Sequence, residues 1–370
     1  MNKHNYIKPI VGVFLGKSSI NKFHKQKPVS QKIMELLKAN EQAKTTLYYF
    51  SIADVNMKNK MINGTFFNKQ KNRWEIQEFP YPDIIYKRCS SAKREIYFFE
   101  AQLKMLNVKS LNYLHGFNKW EVYQRLSTNE SLLPHLPATF LYHAPADLSK
   151  MFDSTDRVYL KACRGARGKQ VIRVTKLPAG EYEVSFFNSN LSVNIVKDFD
   201  CLVNMIIDFF GNKKFIIQEA IDLITINDSL VDMRPEVQKN EKGEIVLAAI
   251  PVRLGNVNAP ITTHAASYTF EEFFAGFMNY SETDIEALKN RIIEFLKIVY
   301  QTIEKFYGPS GEIGIDIGLD KKGQLWFIEC NSQSKKVSFF NAYDKNTIEK
   351  SYLNLLGYTR FLYENKEKND

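Results

Sequence analysis

Gly311-Glu312-Ile313-Gly314-Ile315-Asp316-Ile317-Gly318-Leu319-Asp320, continued by Lys321-Lys322-Gly323-Gln324-Leu325-Trp326-Phe327-Ile328-Glu329-Cys330-Asn331, reads as a β-hairpin. Side chains alternate across a strand, so Ile313, Ile315, Ile317 and Leu319 enter a core while Gly314, Asp316 and Gly318 take the opposite face. With Lys321 and Lys322 as a two-residue turn, Leu319 pairs with Gln324 and Asp316 with Phe327. That register sets Glu329 diagonal to Asp316 on one face, with Asn331 on the same side. Diagonal partners lie roughly 7–8 Å apart at the backbone, close enough to share an ion. Three oxygen donors without histidine or cysteine favour Mg²⁺ or Mn²⁺, with phosphate oxygens and water completing the octahedron. The alternative is that Asp316 and Glu329 only balance nearby Lys or Arg. Acids pointing inward among glycines and apolar residues are costly to desolvate unless a cation offsets them, which favours the metal.

A second informative stretch, Tyr159-Leu160-Lys161-Ala162-Cys163-Arg164-Gly165-Ala166-Arg167-Gly168-Lys169-Gln170-Val171, places two glycines among cations between two β-like runs. Gly165 and Gly168 let the backbone approach phosphates and expose N–H donors, and Lys161 adds a fixed charge from the preceding strand. A solvated hairpin tip is the other reading of this loop. Asp232 and Arg234 stand two apart on one strand face, with Arg253 on the next strand. Guanidinium forks there suit a γ-phosphate or a substrate carboxylate; structural ion pairs are the alternative reading of each arginine taken separately. Near the N-terminus, Gly12-Val13-Phe14-Leu15-Gly16-Lys17-Ser18 imitates a phosphate-binding loop but has three residues between its glycines where the motif needs four. It is read as an ordinary strand-to-helix turn.

The chain has 370 residues, 44% of them hydrophobic and 25% charged, enough for two or three packed units and incompatible with disorder. No run of ~18 apolar residues spans a membrane, and no signal-peptide pattern opens the sequence. The four cysteines, Cys89, Cys163, Cys201 and Cys330, form no C-x-x-C pair, which fits reduced, cytoplasmic thiols. The net charge of +9 is uneven: seven lysines and no acid lie between Met1 and Met34, and Lys58, Lys60, Lys69, Lys71 and Arg73 form a second basic stretch. Without a nucleic-acid motif, a solvated surface is the preferred reading.

Strands are expected at 10–15, 46–52, 83–87, 157–162, 170–174 and 214–221, with two more flanking an Asn240-Glu241-Lys242-Gly243 turn between 231 and 254. Helices are expected at 31–43, 92–106, 118–126 and 196–210. A capping box at Ser281 and Asp284 starts another that runs to Tyr307. The mixture indicates α+β or α/β architecture, divided into an N-terminal α/β unit (1–115), a glycine-loop unit (116–214) and a unit carrying the hairpin and a C-terminal helix (215–370).

Lys119, Lys161 with the Gly165–Gly168 loop, Gln218-Glu219-Ala220-Ile221, Asp232-Met233-Arg234, Arg253, and Asp316, Glu329 and Asn331 together resemble the ATP-grasp superfamily over residues 115–335. Tyr81-Pro82-Asp83-Ile84-Ile85-Tyr86-Lys87-Arg88, Asn118-Lys119-Trp120 and Asp232-Met233-Arg234-Pro235-Glu236-Val237-Gln238 are most similar to its YheC/YheD-like, endospore coat-associated branch. The resemblance implies two α+β subdomains clasping ATP, preceded by an N-terminal α/β domain. It implies that Lys119 and Lys161 hold the phosphates, that Gln218, Glu219, Ala220 and Ile221 border the adenine, and that Asp316, Glu329 and Asn331 carry Mg²⁺. Arg234 and Arg253 then steady the γ-phosphate and an acyl phosphate. The segment Val257–Ser267 departs from the family pattern, carrying Ala259-Pro260-Ile261-Thr262-Thr263-His264-Ala265-Ala266 where an Asn and paired glycines are usual.

The activity implied is an ATP-dependent carboxylate-amine ligase that forms an amide through an acyl phosphate, with an amino acid or an acidic peptide among its substrates. The rivals are a kinase that phosphorylates a hydroxyl and a nucleotide-binding, spore-associated structural protein. The expected location is the cytoplasm, with spore association implied by the branch. Nucleic acid and membrane are not expected partners.

Overall fold

The computed structural model describes residues 6–89, 93–112, 116–165, 170–188, 190–262 and 266–366. They form a mixed α/β fold built on three sheets. Strand Ile10–Phe14, buried along its whole length, runs parallel between Thr46–Phe50 and Ile84–Lys87 at the centre of a seven-stranded sheet. Gly12 lies inside that strand, where an added Cβ would lie 3.0 Å from both Phe50 and Pro82. The glycine therefore answers a packing demand, and helix Lys17–His24 simply follows the strand. The antiparallel hairpin Met61–Asn68 and Arg73–Pro80 extends the sheet. In the basic stretch at its tip, Lys71 and Arg73 pair with Glu75, and Lys69 pairs with Glu41.

The middle sheet is six-stranded and wholly antiparallel, with Arg157–Ala162 between Val171–Lys176 and Phe215–Glu219. Helices Pro145–Phe152 and Phe199–Phe210 cover it. Leu148, Met151, Leu202, Ile206 and Phe210 pack against Leu160, Ile172, Val184 and Ile217. Strand Phe215–Glu219, which the sequence reading places at the start of the third unit, is hydrogen bonded on both sides within this sheet.

The third sheet has eight strands, with Glu312–Leu319 between Glu236–Lys239 and Ser229–Met233. Four strands occupy the region where the sequence reading expects two: Ser229–Met233, Glu236–Lys239, Ile245–Ala249 and Val252–Val257. Pro235 interrupts the first run, and Pro251 the second. Helix Glu282–Tyr307 begins with the expected Ser281–Asp284 capping box and buries Leu288, Ile292, Leu296 and Val299 against Ile313, Ile315 and Ile317.

The C-terminal helix Lys345–Lys366 packs on helix Gln31–Ala43 of the first sheet's layer. Ile348, Tyr352, Leu355 and Leu356 recur at helical spacing and join Val11, Val13, Leu36 and Tyr49 in one core. The C-terminal helix thus ties the third sheet to the first.

Candidate functional site

The hairpin carrying the acids is real, but its register differs from the simple one. Strands Glu312–Leu319 and Leu325–Asn331 pair Leu319 with Leu325, Ile317 with Phe327 and Asp316 with Glu329, with a bulge between the last two pairs. The turn is longer than two residues. Asp320 Oδ1 accepts from the backbone N–H groups of Lys322 and Gln324, and Gly323 takes φ +82°. One extra residue, Ile328, then re-phases the second strand. Strict alternation would put Phe327 and Glu329 on one face. The bulge leaves Leu325 and Phe327 in the core and turns Glu329 and Asn331 to the side of Asp316.

That side faces a cavity of about 630 Å³ between the middle and third sheets, joined through shared walls to a second of about 290 Å³. Lys119, Lys161, Gly165, Gln218, Glu329 and Asn331 line both. Glu219, Ile221, Asp232, Arg234, Arg253 and Asp316 line the larger one. Gly168 and the rest of the loop 166–169 lie outside the described residues, as does 263–265 of the divergent segment.

Lys119 is the first residue of helix Lys119–Leu126, whose N-cap Asn118 accepts from the N–H groups of Trp120 and Glu121. The Lys119 backbone N–H donates to Cys163 O at 2.9 Å, tying this helix to the end of strand Arg157–Ala162. Its ammonium lies 3.4 Å from Glu329 Oε2. Lys161 Nζ donates to Gln218 Oε1 at 2.6 Å, and Gln218 Nε2 donates to Thr139 Oγ1 at 2.9 Å. Lys161 is thus held on its strand by a neutral amide. Burial lowers its pKa to about 8, with Lys119 adding to the effect and Glu329 opposing it. Glu219 does not offer its carboxylate freely, because Oε1 accepts the Ala138 N–H at 2.8 Å. Ala220 N donates to Arg157 O at 3.0 Å, fixing the chain where it leaves the middle sheet.

Both arginines are paired with acids. Arg234 binds Asp316 through two nitrogens, with Nη2 to Oδ2 at 2.6 Å. Arg253 Nε reaches Asp232 Oδ1 at 2.5 Å, and its Nη2 lies 3.4 Å from Asp316 Oδ2. Burial and the neighbouring Arg253 lower the Arg234 pKa to about 10. For Glu329, burial favours the protonated form, but Lys119, Arg234 and Lys161 outweigh it and hold the carboxyl below its usual range.

The donor chemistry suits a hard divalent cation. Asp316 and Glu329 are opposite, and Asn331 places its amide nitrogen 3.3 Å from Glu329 Oε1, so a half-turn of that amide presents oxygen instead. Arg234 occupies two of the roughly four acceptor positions of the Asp316 carboxylate, and Arg253 approaches one of the same oxygens. Among the described residues, no group of three or more His, Cys, Asp or Glu is placed to hold a metal, so any such site here needs the Asn331 oxygen.

Sequence reasoning passed over several wall residues. Thr262 Oγ1 donates to Asp232 Oδ2 at 2.7 Å, and Tyr159 OH donates to Pro260 O at 2.9 Å, so the divergent segment reaches across the cleft to the middle sheet. Trp326 and Ile328 supply apolar wall on the cavity side of the hairpin. The alternation that put Asp316 on this face, shifted by the bulge, accounts for both.

Residues 107–362 match the family described as YheC/D like ATP-grasp. The chain is 25% identical over 341 residues to the endospore coat-associated protein YheD of Bacillus subtilis (strain 168), covering 90% of this chain and 74% of the relative. It is 21% identical over 301 residues to the endospore coat-associated protein YheC of the same organism, covering 78% and 80%. Among solved structures it is similar in fold to the ATP-grasp ligase PsnB complexed with a phosphomimetic variant of minimal precursor, Mg and ADP. The TM-score is 0.53 at 12% identity, over 95% of this chain and 100% of that one. With well over half its length matched by the family, the chain belongs to the YheC/D-like ATP-grasp family.

Proposed function

We propose that this protein is an ATP-dependent carboxylate-amine ligase that forms an amide on an amino-acid or peptide substrate. The observation that carries the reading is the bulged hairpin, which turns Asp316, Glu329 and Asn331 to one wall of a cavity whose other walls bear Lys119 and Lys161. Cations on one wall and oxygen donors on the other suit a triphosphate with a divalent ion, and the ATP-grasp family membership supports ATP as the nucleotide. Mg²⁺ or Mn²⁺, when bound, would neutralise charge on the transferring phosphoryl group.

In this reading Lys119 and Lys161 bind the phosphates. Gln218, Glu219, Ala220 and Ile221 border the base, and Asp316, Glu329 and Asn331 hold the metal. A carboxylate needs a better leaving group than oxide before an amine can displace it. Its oxygen attacks the γ-phosphorus, the bond to the β-phosphate oxygen breaks, and ADP and an acyl phosphate result. The amine nitrogen then attacks the acyl carbon, the C–O bond to phosphate breaks, and the nitrogen loses its proton to solvent. In this reading Arg234 and Arg253, held at the same wall by Asp316 and Asp232, neutralise charge on the phosphoryl oxygens in both steps.

A peptide substrate is supported by the fold likeness to PsnB, solved with a precursor. The net charge of +9 favours an acidic one. The proposed place of action is the cytoplasm, and the names of the two curated relatives support spore association. No helix among the described residues is long and apolar enough to cross a membrane.

The test is ATP turnover screened against amino acids and acidic peptides in pairs, with products weighed by mass spectrometry. The reading predicts ADP and inorganic phosphate only when both co-substrates are present, and a product lighter by one water than their sum. Phosphate retained on a single acceptor would instead mark a kinase. Nucleotide binding without amine-dependent ADP formation would mark a non-catalytic protein.

A further inference from the structure

Directly after Asn331, the segment 332–336 is bound from two directions by charged groups that the proposed chemistry does not use. Lys336 is 2% exposed and adopts the left-handed backbone at φ +55°. Its Nζ lies 3.2 Å from Glu236 Oε2 and 3.1 Å from Glu312 Oε2, both acids being at most 1% exposed. Ser334 Oγ donates to Glu236 Oε1 at 2.6 Å and accepts from the Lys336 N–H at 3.3 Å.

From the first sheet's layer, Arg88 donates through Nη1 to Glu312 Oε1 at 2.9 Å and through Nη2 to Ser334 O at 2.8 Å. Lys32 Nζ also donates to Ser334 O, at 3.2 Å. Tyr86 OH donates to Glu312 Oε1 at 2.6 Å, and Asn112 Nδ2 donates to Ser332 O at 3.0 Å. Glu312 opens the strand that carries Asp316, and Glu236 pairs in register with Gly314 on that strand. The same segment continues into the cavity wall through Gln333, Lys335 and Ser338.

Resting on the ligase reading above, we propose that Arg88 and Lys336 are positioning residues. Through them the N-terminal sheet sets the placement of Glu329 and Asn331 and of the cavity wall behind them. A buried charge cluster is a weak means of gaining stability, since apolar residues of the same volume often do as well or better. It does impose direction: each bond fixes an atom to a bearing, and four of them converge on Ser334, three residues past Asn331. Outer partners of this kind orient metal-binding side chains and govern their affinity. The N-terminal sheet then completes the active site from behind and is more than a neighbour of it.

The experiment is calorimetric titration of the full-length protein with ADP across a series of Mg²⁺ concentrations, alongside thermal melts. It compares the parent with Arg88→Met, Arg88→Lys and Ser334→Ala, and with Ile96→Val as a core control. The proposal predicts that Arg88→Met raises the Mg²⁺ concentration for half-maximal ADP binding roughly tenfold, while ADP affinity without Mg²⁺ stays within about twofold. Arg88→Lys should recover part of the loss, because an ammonium reaches Glu312 without also holding Ser334 O. Ile96→Val should lower the melting temperature without moving the Mg²⁺ dependence. If Arg88→Met does not fold, Ser334→Ala decides by the same shift. Unaltered Mg²⁺ dependence in the variants that fold would overturn the proposal and leave the ligase reading intact. Absence of any Mg²⁺-linked ADP binding in the parent protein would overturn both.

Discussion

Asp316 and Glu329 face each other directly across the hairpin because Ile328 bulges out of the second strand between them and the Ile317–Phe327 pair. Two functions that compete for one strand are separated by that single residue: Leu325 and Phe327 fill the core, while Glu329 and Asn331 reach the cleft. A strand of plain alternation would have had to bury Glu329 or expose Phe327.

Replacing Glu329 by Gln keeps the shape of the side chain and removes its charge beside Lys119. The variant should melt within a few degrees of the parent protein, and Mg²⁺-dependent ADP formation should fall about a hundredfold or more, a loss on the scale of removing one transition-state stabilising group. Steady-state ADP release, measured beside circular dichroism melts, checks both halves.

Lys161 has its pKa lowered to about 8 by burial, so its ammonium loses its proton as pH rises past that value. Nucleotide affinity should weaken between pH 7 and pH 9, by at most about tenfold from this one group. In Lys161→Arg, whose guanidinium stays charged, the decline should largely vanish. The dissociation constant of ADP at the two pH values gives the answer.

Lys32, on the first turn of helix Gln31–Ala43, is pushed down to about 7 by burial and by Arg88 and Lys336. The unfolded chain holds that proton up to the ordinary value of 10.5, so it binds more protons than the folded chain between about pH 7 and 10.5. This group therefore makes the protein more stable as pH rises through that window, and below it the cost of burying the charge is fully present. Lys32→Met should be the more stable protein at pH 7, by ~1–2 kcal/mol after allowance for partial exposure, with the advantage fading towards pH 10. Denaturant melts of both proteins at the two pH values test the sign.

In the N-terminal sheet, a Cβ on Gly64 would lie 2.6 Å from a ring atom of Tyr48 and 2.7 Å from one of Phe79, two rings stacked with centroids 4.5 Å apart. Gly64→Ala should cost ~1–3 kcal/mol by overpacking. ADP affinity should be unchanged, because neither ring lines the cleft. Chemical denaturation and an ADP titration separate the two effects.

The hairpin was legible because alternating isoleucines announce a strand, and the acids and glycines between them announce its other face. Its register was not, since a bulge depends on how Phe327 and Leu325 find the core. Lys119, Lys161 and Gln218 were legible by resemblance, and the cavity brings them together. The pairing of Arg234 with Asp316 and of Arg253 with Asp232 needed the strand register of the third sheet. The cluster of Lys32, Arg88, Glu236, Glu312 and Lys336 left no local trace, because its members come from distant parts of the chain and each alone looks like a surface charge. Ile348, Tyr352, Leu355 and Leu356 mark an apolar helix face, yet nothing in their spacing says that it will dock on helix Gln31–Ala43.

The central claim is that the bulged hairpin holds a divalent ion against a nucleotide. Its most direct measurement is the anomalous difference density of crystals grown with ADP and Mn²⁺. The account predicts a manganese peak coordinated by Glu329 and Asn331, with Asp316 in its shell and the ADP phosphates on its far side towards Lys161. A nucleotide bound elsewhere, or manganese absent from that wall while ADP occupies the cleft, would contradict it.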